Sequence, residues 1–440
     1  MRLVLIILLA LSGTASSPYA RTWVVGPDGD GDAPSLQAAI DSALHGDTVL
    51  AKPGTYFVNL NLRGKAIHFK SQAGPHATIL DGSQGDYSVV TCDSGEDYRT
   101  IIEGFTICHG KGGVLGIMGR RGAGILADRS SPTIRGNIIR DNRAVSTGPN
   151  PYEQSRGGGI RLAGATDMAL IEGNLFENNF ATSLGGAFIG GPVHLRNNTF
   201  IGNSVELGDG GAVYFGEAAT LVENNLFVDN VAGDHGGAIY ITNPVLIGIP
   251  AHQLVIKNNI MIGNSANNVD TANDCSGGAI WFDGKVTIVG NTIAFNFAEA
   301  SVGLAAAGIC VSDSGPDTRI ERNLIYRNQR GGIVATPSRT LDGIVRRNLI
   351  FGNGPEDLIV EPTLGGAEIG WVIEENVVAD PLFCVIGTES RGELAGASPA
   401  LNGEYGPIGA VWLPTCGPAI ALPVVQTTWG RIKVRFRDGE

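Results

Sequence analysis

One pattern of apolar residues and asparagines recurs between residues 134 and 376. Each copy has an apolar residue, a second residue that is charged in all but one copy, any residue and an asparagine, and a second asparagine follows five positions later. The copies are IRGNIIRDN from Ile134, IEGNLFENN from Ile171, LRNNTFIGN from Leu195, VENNLFVDN from Val222, IKNNIMIGN from Ile256, IVGNTIAFN from Ile288, IERNLIYRN from Ile320 and VRRNLIFGN from Val345. IEENVVADP from Ile373 lacks the second asparagine and is expected to end the array. Successive copies start about 24 to about 37 residues apart, within the range of stacked solenoid repeats.

Alternation within each copy predicts a β-strand whose first apolar residue points inward and whose next residue points outward. The outward residues change sign along the array, in the order Arg135, Glu172, Arg196, Glu223, Lys257, Val289, Glu321, Arg346, Glu374. Equivalent strands of adjacent coils would lie about 4.8 Å apart, where opposite charges attract and like charges repel. The order of charges therefore predicts parallel coils that are stacked in register.

The first asparagine of each copy falls between two predicted strands. Asparagine tolerates the left-handed backbone conformation of a sharp bend, and its amide can bond to the same amide of the next coil. We therefore interpret the column as a structural ladder and not as a ligand site. His109, in IEGFTICHG, is placed at the second asparagine of an earlier, degenerate copy and is interpreted in the same way. The ladder residues are Asn137, Asn174, Asn198, Asn225, Asn259, Asn291, Asn323, Asn348 and Asn376.

After a loop of variable length, each coil restarts with a glycine-rich strand such as GGGIRL, GGAVYF, GGAIYI or GGAIWF. This gives about three short strands per coil, with no helical pattern between them. A leucine-rich repeat would need a helical or leucine-rich half, and a left-handed hexapeptide helix would need a strict six-residue period. Alternation points one column of the glycine-rich strands outward: Leu126, Arg161, Ile189, Tyr214, Tyr240, Trp281, Cys310 and Val334.

With these repeats, the sequence resembles the right-handed parallel β-helix proteins of the pectin-lyase-like fold, within the broad set of exported bacterial β-helix repeat proteins. The resemblance covers nearly all of the chain after the N-terminal segment. It implies an all-β, right-handed parallel β-helix solenoid with three short strands per coil and an N-terminal capping helix. The segment PSLQAAIDSALHGDTVLAKPGTY from Pro34 is similar to the opening segment of such proteins, and its apolar helix face can cover the open end of a stack. That face consists of Leu36, Ala39, Ile40 and Ala43.

We divide the chain into a signal peptide (1–20), an N-terminal cap with the first strand (21–56), the parallel β-helix (57–380) and a C-terminal closing segment with a terminal strand (381–440). The terminal strand TTWGRIKVRF, from Thr427, is expected to pack back on the stack.

Composition indicates export and excludes one class of partner. Arg2, an apolar run and then small residues follow the layout of a secretory signal peptide, so the protein is expected to be secreted or on the cell surface. No later segment is long and apolar enough to span a membrane. The net charge of -12 argues against nucleic acid, which needs basic patches. An acidic polysaccharide would have to meet a local cluster of arginines or bound calcium. We expect a monomer.

The six cysteines permit disulfides, because their number is even and the protein is expected to be exported. Six cysteines allow many pairings, and their spacing does not resemble a metal site. We favour Cys92 with Cys108 and Cys384 with Cys416.

The resemblance implies that a polysaccharide would bind in a groove along a sheet flanked by long loops, which is here the glycine-rich sheet. Tyr214, Tyr240 and Trp281 stand there in consecutive coils, and rows of exposed rings bind the apolar faces of sugars. Thr242 and Asp283 point outward nearby and can bond sugar hydroxyls. The alternative is that loops bury these rings, or that they are strand-favouring residues on a solvated sheet.

Candidate catalytic residues stand at the start of the same strands. Asp209 and His235 precede the glycine pairs of adjacent coils, and an acid beside a histidine raises its proton affinity and can support general acid or base catalysis. Asp234 adjoins them, and Arg161 is a candidate base. The alternative is that Asp209 and His235 only cap the ends of loops.

Signatures of the known enzymes of this fold are missing. The chain has neither the paired aspartates and Gly-His-Gly of polygalacturonases, nor the calcium-binding carboxylate cluster of pectate lyases, nor pectin-esterase motifs. Asp270 and Asp274 in SANNVDTANDCS offer carboxylates for calcium, although the same composition is that of an ordinary turn. The sequence favours polysaccharide binding, with cleavage as a lyase or glycoside hydrolase if the protein is an enzyme. The alternatives are a carbohydrate-binding module and a non-catalytic surface or adhesion rod.

Overall fold

The computed structural model describes most of the chain between residues 20 and 416. The described ranges are 20–115, 118–145, 155–165, 167–216, 220–242, 254–267, 275–299, 306–314, 317–335, 342–354, 357–360, 370–379, 381, 383–386, 389–395, 408–409 and 415–416. The rest of the predicted signal peptide before Ala20, the terminal strand from Thr427, and the calcium candidates Asp270 and Asp274 lie outside them.

Four parallel sheets run along the stack, and the chain visits them in the order sheet 1, sheet 2, sheet 3 and sheet 4 within a full coil. Sheet 1 consists of Thr22–Val25, Thr48–Ala51, His68–Ser71, Ile101–Glu103, Thr133–Arg135, Ala169–Glu172, Val193–Arg196, Thr220–Glu223, Leu254–Lys257, Val286–Val289, Arg319–Glu321, Asp342–Arg346 and Gly370–Glu374. Sheet 2 consists of Gly54–Phe57, Thr78–Asp81, Thr106–Cys108, Ile138–Arg140, Leu175–Glu177, Thr199–Ile201, Leu226–Val228, Ile260–Ile262, Thr292–Ala294, Leu324–Tyr326 and Leu349–Phe351.

Sheets 3 and 4 complete the coil. Sheet 3 has short strands: Arg143–Ala144, Phe180–Ala181, Ser204–Val205, Val231–Ala232, Ser265–Ala266 and Phe297–Ala298. Sheet 4 consists of Leu60–Asn61, Val90–Cys92, Ile125–Asp128, Ile160–Ala163, Phe188–Ile189, Val213–Phe215, Ile239–Thr242, Ile280–Asp283, Ile309–Asp313, Ile333–Ala335 and Leu358–Val360. The all-β fold and the parallel stacking predicted from the repeats are confirmed, and the short sheet 3 is an addition to the three predicted strands per coil.

A helix, Leu36–Ser42, lies near the N-terminal end of the stack. The Ser35 hydroxyl accepts a hydrogen bond from the Ala38 amide at 3.1 Å, which satisfies one of the free N–H groups of the first turn. Leu36, Ala39 and Ile40 are buried against the first strands of sheets 1 and 4. The described residues contain no helix that is long and apolar enough to span a bilayer.

Two antiparallel pairings accompany the stack. Gly113–Leu115 pairs with Met118–Arg121. Near the C-terminus, Phe383–Ile386 pairs with Glu389–Ala395, which also pairs in parallel with Thr415–Cys416.

The core is a column of apolar side chains inside the coils. Phe176, Phe200 and Phe227 occupy the same position in consecutive coils, and their rings stack at 4.6 and 4.7 Å between centroids. All three are fully buried. Residues that follow the stack in sequence also return to it, because Ile408 is buried against the outer face of sheet 2 and the Gly409 amide donates to the Arg322 carbonyl at 2.8 Å.

The outward charges of sheet 1 form the alternating column that the sequence predicts. Glu172 pairs in register with Arg196, and Glu223 with Lys257. The Arg196 guanidinium lies 2.7 Å from the Glu172 carboxylate, and the Lys257 ammonium lies 2.8 Å from Glu223. Each pair joins two neighbouring coils, so the charges favour the observed register over a shifted one.

The asparagine ladder is confirmed, and a second ladder runs beside it. Along the predicted ladder, each side-chain amide donates to the carbonyl oxygen of the next asparagine side chain at 3.0 to 3.1 Å, from Asn137 to Asn376. The second asparagines of the repeats form an equivalent ladder from Asn142 to Asn353, which ends on the carboxylate of Asp357. Except at Asn376, which is half-buried, these amides are buried, and they satisfy the backbone of the bends.

Two details of the predicted ladder are wrong. The left-handed residue of each bend is the one before the asparagine, as in Gly136 and Asn197 with φ of 61° and 55°. The asparagine itself is needed for its amide. In the degenerate coil, Gly110 and not His109 takes the place of the second asparagine, because the Gly110 amide donates to the Asn142 side chain at 2.9 Å.

The predicted pairing of Cys92 with Cys108 is also wrong. Cys92 lies in sheet 4 and Cys108 in sheet 2, so they occupy different sides of the stack, and both are buried free thiols. The disulfide joins Cys275 to Cys310 instead. The side chains of Cys384 and Cys416 lie outside what the structure describes.

Candidate functional site

The outer face of sheet 4 carries the predicted column in register. Leu126, Arg161, Ile189, Tyr214, Tyr240, Trp281, Cys310 and Val334 follow one another from coil to coil. Sequence alternation therefore places these side chains correctly.

The three aromatic rings pack on one another instead of presenting their faces. The Tyr214 and Tyr240 rings stack at 5.0 Å with a 19° interplanar angle, and Tyr240 and Trp281 stack at 4.4 Å and 3°. Trp281 is only 6% exposed and packs against Cys275 and Cys310. Tyr214 and Tyr240 are half-buried. Because both faces of Tyr240 are occupied by its neighbours, a sugar ring cannot stack on it, and the column offers ring edges and hydroxyls instead.

Asp209, Asp234 and His235 converge at the start of the neighbouring strands. His235 Nδ1 lies 3.1 Å from the Asp209 carboxylate and 3.3 Å from that of Asp234. The His235 backbone N–H also donates to Asp209 Oδ1 at 3.2 Å. The sequence places Asp209 and His235 in adjacent coils, and the structure brings them into contact.

The surroundings of His235 favour its charged form. Burial alone would lower the pKa of His235, but hydrogen bonds to Asp209 and Asp234, together with their charges, raise it to about 10. Burial raises the pKa of Asp209 above its usual range, against the opposing effect of His235. Of the two groups we take His235 as the proton carrier, because two carboxylates face its ring and both stabilise the imidazolium. A protonated imidazole can act as a general acid.

Access to His235 is narrow. Its side chain is 13% exposed, and its Nε2 is buried without a hydrogen-bond partner. The ring lies beside Trp281, with 5.4 Å between centroids, and beside Tyr240 at 6.3 Å. The imidazole is therefore held from one side by carboxylates and from the other by the aromatic column.

Arg161 lies two coils from Tyr214 in the same outward column. A cavity of about 200 Å³ lies between them, lined by Arg156, Arg161, Leu162, Ile189, Gly190, Gly191, Tyr214 and Gly216. Burial and the charge of Asp209 raise the pKa of Tyr214 to about 12, so its hydroxyl remains a hydrogen-bond donor at neutral pH. The cavity is thus lined by two arginines and a tyrosine.

Arg121 was not among the candidates from the sequence. Its backbone forms a parallel bridge with that of Arg156 in the next coil. Arg156 forms the same kind of bridge with Leu184, and Leu184 with Asp209. The signal was present, because RGAGI from Arg121 and RGGGI from Arg156 are the same motif one coil apart.

Asp283 stands apart from this group. It lies two residues after Trp281 at the end of its strand, next to Thr242 of the adjacent coil, and is half-buried. In the described part of the chain, two groups bring ligand atoms within 4.8 Å of one another: Asp209 with Asp234 and His235, and Asp81 with Cys108 and His109. These residue types can hold a divalent transition metal.

A family model for the right-handed β-helix region matches residues 123–273. Among solved structures, the chain is similar to the PL6 family alginate lyase AlyGC, with a TM-score of 0.39 and 15% identity over 81% of this chain and 51% of the lyase chain. A mutant of that lyase gives a TM-score of 0.39 and 15% identity over 91% and 60%. A pectin methylesterase from carrot gives 0.25 and 14% over 82% and 88%. No curated protein matches the sequence.

The chain thus spans between half and two thirds of the length of the lyase chains. Its four parallel sheets and stacked coils agree with the region that the family model matches. The chain folds as a right-handed parallel β-helix.

Proposed function

We propose that the protein binds a polysaccharide on the outer face of sheet 4, along the coils from Arg161 to Tyr240. The observation that carries the proposal is the cavity lined by Arg156, Arg161 and Tyr214, which lies in line with the Asp209–His235 pair. Ligand sites combine a concavity with a few convergent polar groups. This face has both, and the predicted signal peptide at residues 1–20 would bring it into contact with polysaccharides outside the cell.

The contacts that we propose are polar. The stacked rings leave no free aromatic face between Tyr214 and Trp281, so sugar hydroxyls would bond to the phenol of Tyr214 and to the guanidinium groups of Arg156 and Arg161. Successive coils present their outward side chains about 4.8 Å apart. An extended sugar chain that runs parallel to the stack can therefore contact several coils in turn.

Cleavage is a second candidate function, favoured by the position of His235 between two carboxylates. With its pKa raised to about 10, His235 is protonated at neutral pH and would donate a proton to a leaving sugar oxygen. Asp209 and Asp234 would hold the imidazole and its charge. Because Nε2 is buried, this role requires that the substrate displace the surrounding side chains.

A non-catalytic rod is the rival function, and one observation favours it. The burial of Trp281 and the packing of the three rings give the aromatic column a structural role that needs no ligand. Polysaccharide binding and a rod are both compatible with the fold, and sugar binding in the cavity distinguishes them.

The test is binding and product formation by the purified protein on a panel of plant, algal and bacterial polysaccharides, with and without calcium. Reducing ends report hydrolysis, and the absorbance of unsaturated products reports lyase activity. We expect Tyr214→Phe to weaken retention on the bound polysaccharide, and Tyr98→Phe, at a tyrosine with 63% exposure outside sheet 4, to leave it unchanged. Product formation that His235→Gln abolishes without loss of binding would establish catalysis. A protein that binds none of the panel would favour the rod.

A further inference from the structure

Three arginines of two adjacent coils lie close together beside the third and fourth strands of sheet 4. Arg121 and Arg156 are paired across the coils, and Arg161 follows five residues after Arg156 on the same coil. Arg121 is 9% exposed, while Arg156 and Arg161 are half-buried. Three positive charges therefore share a partly desolvated region of a protein whose net charge is -12.

The described residues supply little negative charge near Arg156 and Arg161. No described carboxylate lies within 4.0 Å of the guanidinium groups of Arg156 or Arg161, and the nearby Asp128 is paired with Arg129 at 3.4 Å. Nε of Arg156, and both Nε and Nη1 of Arg161, are buried without a hydrogen-bond acceptor. Buried donors without a partner are costly, and buried charges are normally paired. Within the described part of the chain, these nitrogens of Arg156 and Arg161 thus have no acceptor.

Electrostatics within the cluster agree with this conclusion. Burial, and then the positive charges of Arg121 and Arg156, lower the pKa of Arg161 to about 10. Burial and the charge of Arg156 likewise lower the pKa of Arg121. The arginines repel one another, and a bound anion would relieve that repulsion.

Space for an anion lies beside Arg156 and Arg161. The cavity of about 200 Å³ is lined by Arg156 and Arg161 together with Tyr214 and three glycines. Pockets for whole drug-sized ligands measure about 300–1,000 Å³, so this cavity suits one small group and not a complete ligand. Guanidinium groups match carboxylate, sulfate and phosphate oxygens through paired hydrogen bonds.

We propose that Arg156 and Arg161 form an oxyanion site that holds a carboxylate or sulfate ester of a sugar chain directly by arginine, without a metal ion. The attachment of the anion to a sugar rests on the proposed function; the oxyanion site itself does not. A free inorganic anion would satisfy the same donors, and the experiment separates the two sources.

The experiment is calorimetric titration in the presence of EDTA and at low salt. The probes are sulfate, phosphate, a glucuronic acid oligosaccharide and a neutral glucose oligosaccharide. The variants are Arg161→Gln and Arg156→Gln, with Arg99→Gln as the control, since Arg99 is exposed, pairs with Asp97 elsewhere and changes the net charge equally. We expect the acidic oligosaccharide to bind the wild type and the control, and to bind Arg161→Gln about tenfold more weakly.

A thermal measurement guards against misfolded variants. Sulfate is expected to raise the Tm of the wild type and of Arg99→Gln by more than that of Arg161→Gln, because an occupied site adds binding energy to the general stabilisation by sulfate that all three share. A purely structural role for Arg161 would lower the Tm by the same amount with and without sulfate, and that result would overturn the proposal.

The remaining outcomes separate the two proposals. If sulfate and phosphate bind in an arginine-dependent way and neither oligosaccharide binds, the oxyanion site is supported. The same result would refute both the sugar-linked anion and the proposed function. Binding of the neutral oligosaccharide that is weakened by Tyr214→Phe but not by Arg161→Gln would support the proposed function and overturn the oxyanion site. Failure of every anionic probe to bind the wild type would overturn it as well.

Discussion

Replacing Asn259 with alanine tests the asparagine ladder at its centre. The Asn259 side chain is fully buried and makes five hydrogen bonds. Its oxygen accepts from the backbone N–H and the side-chain amide of Asn225, at 2.9 and 3.0 Å. Its amide donates to the carbonyls of Val222 and Lys257 and to the side chain of Asn291, each at 3.0 Å.

The magnitude follows from the groups that would lose their partner. In Asn259→Ala, the Asn225 backbone N–H has no acceptor, whereas the Asn225 amide keeps its bond to the Leu195 carbonyl at 2.9 Å. The Val222 carbonyl loses the amide that it accepts from. Leaving one buried group unsatisfied costs about 1–3 kcal/mol, so we expect a loss of about 3 kcal/mol in the free energy of unfolding.

Urea unfolding, followed by far-UV circular dichroism, measures this loss. The control is Asn267→Ala, at an asparagine whose side chain is exposed and lies outside the ladder. We expect the control to stay within about 0.5 kcal/mol of the wild type, as is usual for surface substitutions. An Asn259→Ala protein as stable as the control would refute the view that the amides satisfy the bends.

Three further predictions concern charge and crosslinking. Because the pKa of His235 is raised in the folded protein, the stabilisation by its charge is complete below about pH 6.5 and is lost as the pH rises towards about 10. The stability of the wild type should therefore fall across this window, whereas that of His235→Gln should not. Thermal unfolding at a series of pH values measures the difference. Burial would raise the pKa of Glu223, but hydrogen bonds and charges from Lys257 and His194 outweigh burial and lower it. The wild type should therefore lose stability as the pH falls, and Glu223→Gln should lose less. An equal loss of stability on acidification in both proteins would contradict the pairing. Removing the Cys275–Cys310 disulfide, which spans 35 residues, should cost up to about 4 kcal/mol by the loop-entropy relation, measured with and without reductant; equal stability in both would count against it.

The repeat could be predicted from the sequence because each coil repeats the same physical requirements. An inward apolar residue, an outward residue of alternating charge and an asparagine at the bend keep the same spacing within every copy, and all three act within one coil or between nearest neighbours. The strand register and the ladder follow from them. The left-handed residue was misplaced by one position because glycine and asparagine both occur next to the ladder, as in Gly136 and Asn197, and composition alone does not say which one bends.

The site was predictable only in part. Alternation places Tyr214, Tyr240 and Trp281 on one face, but it does not say that parallel in-register stacking brings their rings face to face. The contact of Asp209 with His235 could be predicted because both occupy the same position in adjacent coils. The disulfide could not, because the loops before the glycine-rich strands differ in length from coil to coil, so the sequence does not show which side chain Cys275 faces.

The constancy of the ladder has a consequence for how such a protein can change over time. The chain takes 24 residues between Asn174 and Asn198 but 37 between Asn137 and Asn174, while the amide contact remains 3.1 Å in both. Insertions therefore need not disturb the frame, as long as they fall in the segments that lead into or out of sheet 4. Those segments border the face that carries the arginines and His235. The molecule can acquire a new specificity there by lengthening a loop, while its architecture is inherited unaltered.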